Sequence, residues 1–270
     1  MHGFTAKKAG SVAWNNVSDT VTNAWGGDSY CVQFNGVDES ARDDALPGSS
    51  PFKSLGTKGS CGAWFKTSSA ADGALIRVFR YNSRYFGLTY ESASGGMLKT
   101  RFRTSTSGNL NINSNASGLG DGAWHLGIIT FDGSNIRWYI DNAGLDKTYA
   151  TGGTWNDAGF EFTAIRMGID PTGTAKYNGK VATAFYHSEV LSEADANKLF
   201  NAGPVPNLLS EGSYDTAGMQ NNLIAWYRCG DGENDISGVR IDDQSEVAAP
   251  ANIDNLVNMD ASNFIEDAPA

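Results

Sequence analysis

The sequence predicts an all-β protein, a two-sheet antiparallel sandwich with one short helix. Short apolar runs recur at about ten-residue spacing, Gly-Gly, Asp-Gly and Ser-Gly pairs separate several of them, and a single segment carries helix signals. Hydrophobic residues make up 40% and aromatics 11%, enough for a full core, while charged residues reach only 19%. The polar surface therefore falls to Ser, Thr, Asn and 32 glycines, the make-up of many strands joined by turns. A chain of 270 residues fits one large sandwich with terminal arms.

Residues 1–28 are rich in Ser, Thr, Asn and Gly and are expected to form an N-terminal arm, with one strand around Val17–Val21. The sandwich is expected over residues 29–229. Tyr30, Val32 and Phe34 alternate with Cys31 and Gln33, and Cys61, Ala63 and Phe65 alternate with Gly62, Trp64 and Lys66. That period of two gives a strand one core face. Further strands fit Ala74–Arg80, Tyr85–Tyr90 and Met97–Arg103. The clearest hairpin joins Trp124–Phe131 to Ile136–Ile140 through Asp132-Gly133-Ser134-Asn135, where Asp-Gly supplies the positive φ of a tight turn. Phe160–Met167 and Lys180–Tyr186 follow. Ser192, with Asp195 three residues on, is a capping box that opens a helix of about three turns, and Gly203-Pro204 stops it. Leu223–Arg228 reads as a last strand. Residues 230–270 carry seven Asp, three Glu and one basic residue, Arg240, and are expected to form an extended acidic arm.

A net charge of −10, with no basic run longer than two residues, disfavours nucleic acid and anionic membranes as partners. No apolar run approaches the roughly 18 residues of a membrane span. Met1-His2-Gly3-Phe4 opens without a charged region leading into an apolar one, so no signal peptide and synthesis in a cytoplasm are expected. Cys31, Cys61 and Cys229 are odd in number and widely spaced, and are expected to be free. Glu-x-Asp-x-Glu, Cys-x-x-Cys, His-x-x-x-His and Gly-x-x-x-x-Gly-Lys are all absent, so no catalytic residue is assigned and a binding protein is expected. Calcium is the one cofactor the residues suggest: Asp38, Asp43 and Asp170 are loop carboxylates, the first two beside Glu39 and Asp44. Trp64, Trp124 and Trp138 sit in strand runs and are expected in the core. Tyr81, Tyr85 and Trp155 lie near loop edges, placed to stack on sugar rings or to pack against another subunit.

Phe34-Asn35-Gly36-Val37-Asp38-Glu39, Gly62-Ala63-Trp64-Phe65-Lys66, Asp121-Gly122-Ala123-Trp124-His125, Trp138-Tyr139-Ile140-Asp141-Asn142, Tyr177 through Tyr186, and Leu191-Ser192-Glu193-Ala194-Asp195 form an ordered set. The set resembles the signposts of concanavalin A/laminin-G-like jelly-roll domains. The resemblance implies a jelly-roll sandwich and the binding of carbohydrate or protein, sometimes with calcium. Asn142 stands where the family has Gly, and Lys180-Val181-Ala182 replaces its acidic turn, which weakens transfer of a metal site. Leu223–Arg228 with Gly230-Asp231-Gly232 resembles the family's first strand, here placed last, and is expected to pair with its own sandwich. The acidic end beyond it resembles structural proteins of tailed bacteriophages. That likeness implies a virion protein, a capsid decoration or a tail or fibre component, homo-oligomeric and bound to other capsid or tail proteins through the acidic arm. The alternatives are a carbohydrate-binding lectin or adhesin and, less favoured, a glycan-active enzyme.

Overall fold

A computed structural model describes residues 30–267 except 56, 82–83, 104–108, 153–161, 204–206, 232–234 and 248–249. The expected N-terminal arm and Trp155 lie outside the described residues. In chain order the strands are β1 (Tyr30–Asn35), β2 (Ser40–Asp43), β3 (Gly59–Lys66), β4 (Gly73–Tyr81), β5 (Arg84–Glu91), β6 (Met97–Arg103) and β7 (Asn109–Asn113). They continue with β8 (Trp124–Phe131), β9 (Asn135–Ile140), β10 (Leu145–Ala150), β11 (Ala164–Met167), β12 (Asn178–His187), β13 (Leu223–Tyr227), β14 (Asn255–Val257) and β15 (Phe264–Glu266). The helices are α1 (Glu193–Asn201) and a single turn, α2 (Asp235–Gly238).

Local chemistry sets these elements. At the β8–β9 turn, Asp132 accepts from the Ser134 and Asn135 amides at 2.9 and 2.7 Å, while Gly133 takes φ +97°. At α1, the Ser192 hydroxyl accepts from the Asp195 amide at 3.0 Å, and the Asp195 carboxylate accepts from the Ser192 amide at 2.9 Å, completing the box.

The strands form two antiparallel sheets. The first runs β10-β9-β8-β3-β12-β1-β15, with β13 also on β12, and the second runs β14-β2-β11-β4-β5-β6-β7. Between them lies the main core, with Phe34, Phe65, Phe86, Ile129, Trp138 and Tyr186 fully buried. A second cluster covers the other face of the first sheet. There Leu199 of α1, with Leu208, Tyr214 and Met219 from the chain that follows, packs on Trp64, Leu126, Phe185 and Trp226. Trp64 stacks on Phe200 at 5.3 Å between centroids. Trp64 and Trp138 are core as expected, whereas Trp124 is half-buried beside the Lys66 ammonium. All three cysteines are free and buried.

β13 pairs with its own sandwich, as the sequence implies. The first half of β12 pairs with β1 and its second half with β13, so both lie on the same side of β12. Tyr227 ends where Tyr30 begins, and the Tyr30 amide donates to the Asp231 carboxylate at 3.2 Å. The two segments thus form one strand, broken in sequence, along that side of β12.

The acidic segment differs from expectation. Rather than reaching outward, the described residues between 241 and 267 fold back on the sandwich. β14 extends β2 and β15 extends β1, Ile241 bridges Ile253, and Ile241, Ala251, Ile253 and Phe264 are buried. The carboxylates that read as a solvated arm instead cap turns. Asp235 accepts from the amides of Gly230 and Asp242 at 2.7 and 2.8 Å. Asp243 accepts from those of Trp226, Ser245 and Ala251, each at 3.0 Å. A buried carboxylate is tolerated when backbone donors surround it.

Candidate functional site

The outer face of the second sheet carries the alternate residues of β4–β7 that the core does not use. Ile76, Val78, Leu88 and Leu98 point inward, and Arg77, Thr89, Lys99 and Arg101 occupy the intervening positions. Register explains how Arg77 is held. It pairs with Gly87, which has no side chain, and Tyr85 and Thr89 flank that glycine on the same face. The Arg77 guanidinium lies 4.3 Å from the centroid of the Tyr85 ring, and its Nε donates to Thr89 Oγ1 at 2.9 Å. One Nη of Arg77 also donates to that hydroxyl.

Farther along, Lys99 sits across from Thr89 and Asn113, and its ammonium bonds Glu91 at 2.6 Å. Asn113 donates to the other oxygen of Glu91 at 2.7 Å. Arg101 pairs with Asn111 on β7. Together with the turn at 170–175 these residues enclose a cavity of about 170 Å³. A shallower basin of about 730 Å³ adjoins it, sharing Asp72 and Ala175 and edged by Val37, Ser92 and Lys176.

Charge in the cavity is partitioned. Burial lowers the Arg77 pKa from its ordinary value, with Tyr85 and the Asp170 carboxylate opposing. Burial raises the Tyr85 phenol, with Arg77 opposing. Burial would also raise Asp170, but hydrogen bonds from Thr172, Ala175 and Thr174 outweigh it and hold that carboxyl below the usual range.

Of the six residues singled out from sequence, Tyr85 and Asp170 meet in this cavity. Tyr85 does not offer its ring to a sugar as expected. It is 6% exposed, and its ring face holds Arg77. Tyr81 ends β4, at the hairpin opposite Arg84. The calcium set is not assembled. Asp38 accepts from the Asn35 and Asn258 side-chain amides, while Asp43 accepts from the Ala45 amide and Asp170 from the amides of Thr174 and Ala175, each within its own turn. Among the described residues no three His, Cys, Asp or Glu side chains gather where a metal ion would be held. Sequence reading missed Arg77, Thr89, Lys99 and Arg101, although Lys99 and Arg101 alternate with apolar neighbours on β6.

His125 lies between two carboxylates, with Nδ1 2.8 Å from Asp141 and Nε2 3.2 Å from Asp121. Asp141 also accepts from the Leu126 amide at 2.8 Å, so the trio ties the start of β8 to the turn after β9. Burial depresses the imidazole pKa, but the Asp141 and Asp121 bonds and charges outweigh it and leave it raised. A raised folded pKa stabilises below the unfolded value of about 6.5 and is lost as pH rises through the folded value. His125→Ala is therefore expected to cost about 1–2 kcal/mol at pH 5.5 and less at pH 9. Urea melts at the two pH values check this, and an equal loss at both refutes the clamp.

A sequence profile of the concanavalin A-like lectin/glucanase superfamily matches residues 42–197, more than half of the chain. The chain belongs to that superfamily. No curated protein matches the sequence. Among solved structures, a Bacteroides ovatus protein whose carbohydrate binding is itself an assignment superposes with TM-score 0.57 at 14% identity. That match covers 89% of this chain and 60% of the other, so the chain spans three fifths of that protein's length. The CBM40 of the Ruminococcus gnavus IT-sialidase, bound to α2,3-sialyllactose, gives 0.48 at 18% identity, covering 63% of this chain and 98% of its own. The heptameric SAP-like pentraxin of Limulus polyphemus gives 0.47 at 14%, covering 64% and 82%. At these identities the likeness is one of fold, and the fold is the lectin-like jelly roll.

Proposed function

We propose that this superfamily member is a carbohydrate-binding module and that the cavity over β4–β7 is its sugar site. The supporting observation is the lining itself. Arg77, Thr89, Lys99, Arg101 and Asn111 bring donors, and Asp72, Glu91 and Asp170 bring acceptors, into one small concavity. Sugar hydroxyls both donate and accept, so a wall of mixed sign suits them better than the apolar lining of most small-molecule pockets. Binding suits the cavity better than hydrolysis. A glycosidase acid must hold a proton near neutral pH, whereas Asp170 sits below the usual range and Glu91 is paired with Lys99.

The test is a glycan array followed by calorimetry, run with and without calcium. The wild-type chain is expected to retain a glycan class, and the double variant Arg101→Ala/Asn111→Ala to lose at least about tenfold in affinity, since each lost charged or neutral hydrogen bond is worth roughly 1–3 kcal/mol. No retained glycan with the wild type would sink the proposal. The virion role implied by the resemblance of the acidic end is not carried into it: the comparisons match lectin-like domains, and the arm expected to bind other virion proteins is, in its described residues from 241 to 267, folded onto the sandwich.

A further inference from the structure

We infer, resting on the sugar-site reading above, that the ligand of this cavity is an acidic sugar and that Arg77 binds its carboxylate. Arg77 is 4% exposed, and a buried guanidinium ordinarily has an anionic partner. Here the Thr89 hydroxyl takes Nε and one Nη, and the Tyr85 ring takes one face of the plane. Among the described residues no carboxylate forms an ion pair with Arg77. Five N–H donors leave the guanidinium with a free edge after Thr89, the edge that a carboxylate engages in bidentate fashion.

The acids that share the cavity are already engaged. Glu91 is held by Lys99 and Asn113. Asp170 accepts from Thr174 and Ala175 at 2.7 and 3.0 Å. Asp72 accepts from the Ser92 amide and hydroxyl at 2.7 and 2.8 Å. None forms an ion pair with Arg77, and the Asp170 charge acts on it only from beyond bonding distance, so the open edge of the guanidinium is the place for an incoming carboxylate. A chain of net charge −10 repels anions at long range, so an acid preference must arise from this local arrangement. The size is also informative. About 170 Å³ is below the roughly 300–1,000 Å³ of pockets that enclose drug-sized ligands, and suits one sugar ring. The adjoining basin across Asp72 and Ala175 gives the rest of a glycan its exit, so the acidic residue is a chain end.

The experiment is calorimetric titration of the full chain with trigalacturonate and its methyl ester, with sialyllactose beside lactose, and with a sulfated galactose oligomer. The wild type is expected to bind one carboxylate probe at least tenfold more tightly than its ester or neutral counterpart. Arg77→Gln is expected to reduce that preference to within twofold, with Arg77→Lys intermediate, and thermal melts establish that each variant is folded. Equal wild-type affinity for acid and ester, or stronger binding of the sulfated probe, overturns the inference without needing any variant. In those cases a sugar site remains. Retention of the preference by folded Arg77→Gln moves it away from Arg77 and likewise overturns the assignment. If no sugar of either kind binds, the site reading falls, and this inference with it.

Discussion

A chain ending at residue 240 is expected not to fold. The cut removes Ile241, Ile253 and Phe264, all 5% exposed or less. At roughly 1.5–3 kcal/mol for each large apolar side chain, that burial amounts to about 5–9 kcal/mol. A whole domain has only about 5–15 kcal/mol of stability. The cut also uncovers the edges of β1 and β2, which β15 and β14 otherwise pair, and open edges invite aggregation. Burial is the decisive term rather than charge. Asp267 bridges Lys66 at 3.2 Å and also Lys180, but its side chain is 30% exposed, and such pairs are worth under about 1 kcal/mol. Asp267→Ala should therefore be nearly silent where the truncation is not. Circular dichroism and limited proteolysis of the two variants read the contrast. A truncated chain that melts within a few degrees of the full one would mean that residues 241–267 are an appendage.

Asp195→Ala is expected to lower the melting temperature by about 6–12 °C. The carboxylate is fully buried and accepts from the Ser192 amide and hydroxyl, the Asp215 amide, and the Thr216 amide and hydroxyl, at 2.7–2.9 Å. Each buried donor left unpaired costs roughly 1–3 kcal/mol. Asp215 and Thr216 are themselves exposed, so water replaces part of the loss and the total falls near 3 kcal/mol. For a domain of this size, 1 kcal/mol corresponds to about 2–4 °C. The damage spreads because Asp195 fastens α1 to the chain behind it, and both cover Trp64 and Trp226. Burial raises the Asp195 pKa, but the Thr216 and Ser192 bonds outweigh it and the net direction is down. Its contribution is therefore complete above the unfolded value of about 3.9 and is lost as pH falls through the lower folded value. Asp195→Asn keeps one acceptor and should lose about half as much. A melt of Asp195→Ala within about 2 °C of wild type would contradict the network.

The parts of this fold that were legible in sequence are those with a local cause. β6 and β8 are legible to the residue because each is a single run of seven or eight positions, and α1 because Ser192 and Asp195 carry its start. β14 and β15 were missed because three residues hold no period. β7 has a period in Leu110 and Ile112, but the asparagines around them weigh against a strand. The tail was misread for a chemical reason. Asp235 and Asp243 count as surface residues in a composition, yet each is a backbone acceptor inside the fold. The cavity was half legible. Tyr85 and Asp170 stand out singly in the sequence, but the setting of Arg77 depends on Gly87 lying opposite it, and register between strands is not written in either strand alone.

The strand broken between β13 and β1 bears on the order in which the protein can fold. β1 leaves the ribosome first among the described strands, but its partners are β12 and β15, and Cys31 meets Ile265 across 234 positions. Nothing translated nearby can finish its pairing. The pairing of β1 can therefore be completed only after β15 has emerged, and contacts this distant in sequence slow folding and prolong the exposure of unpaired strands.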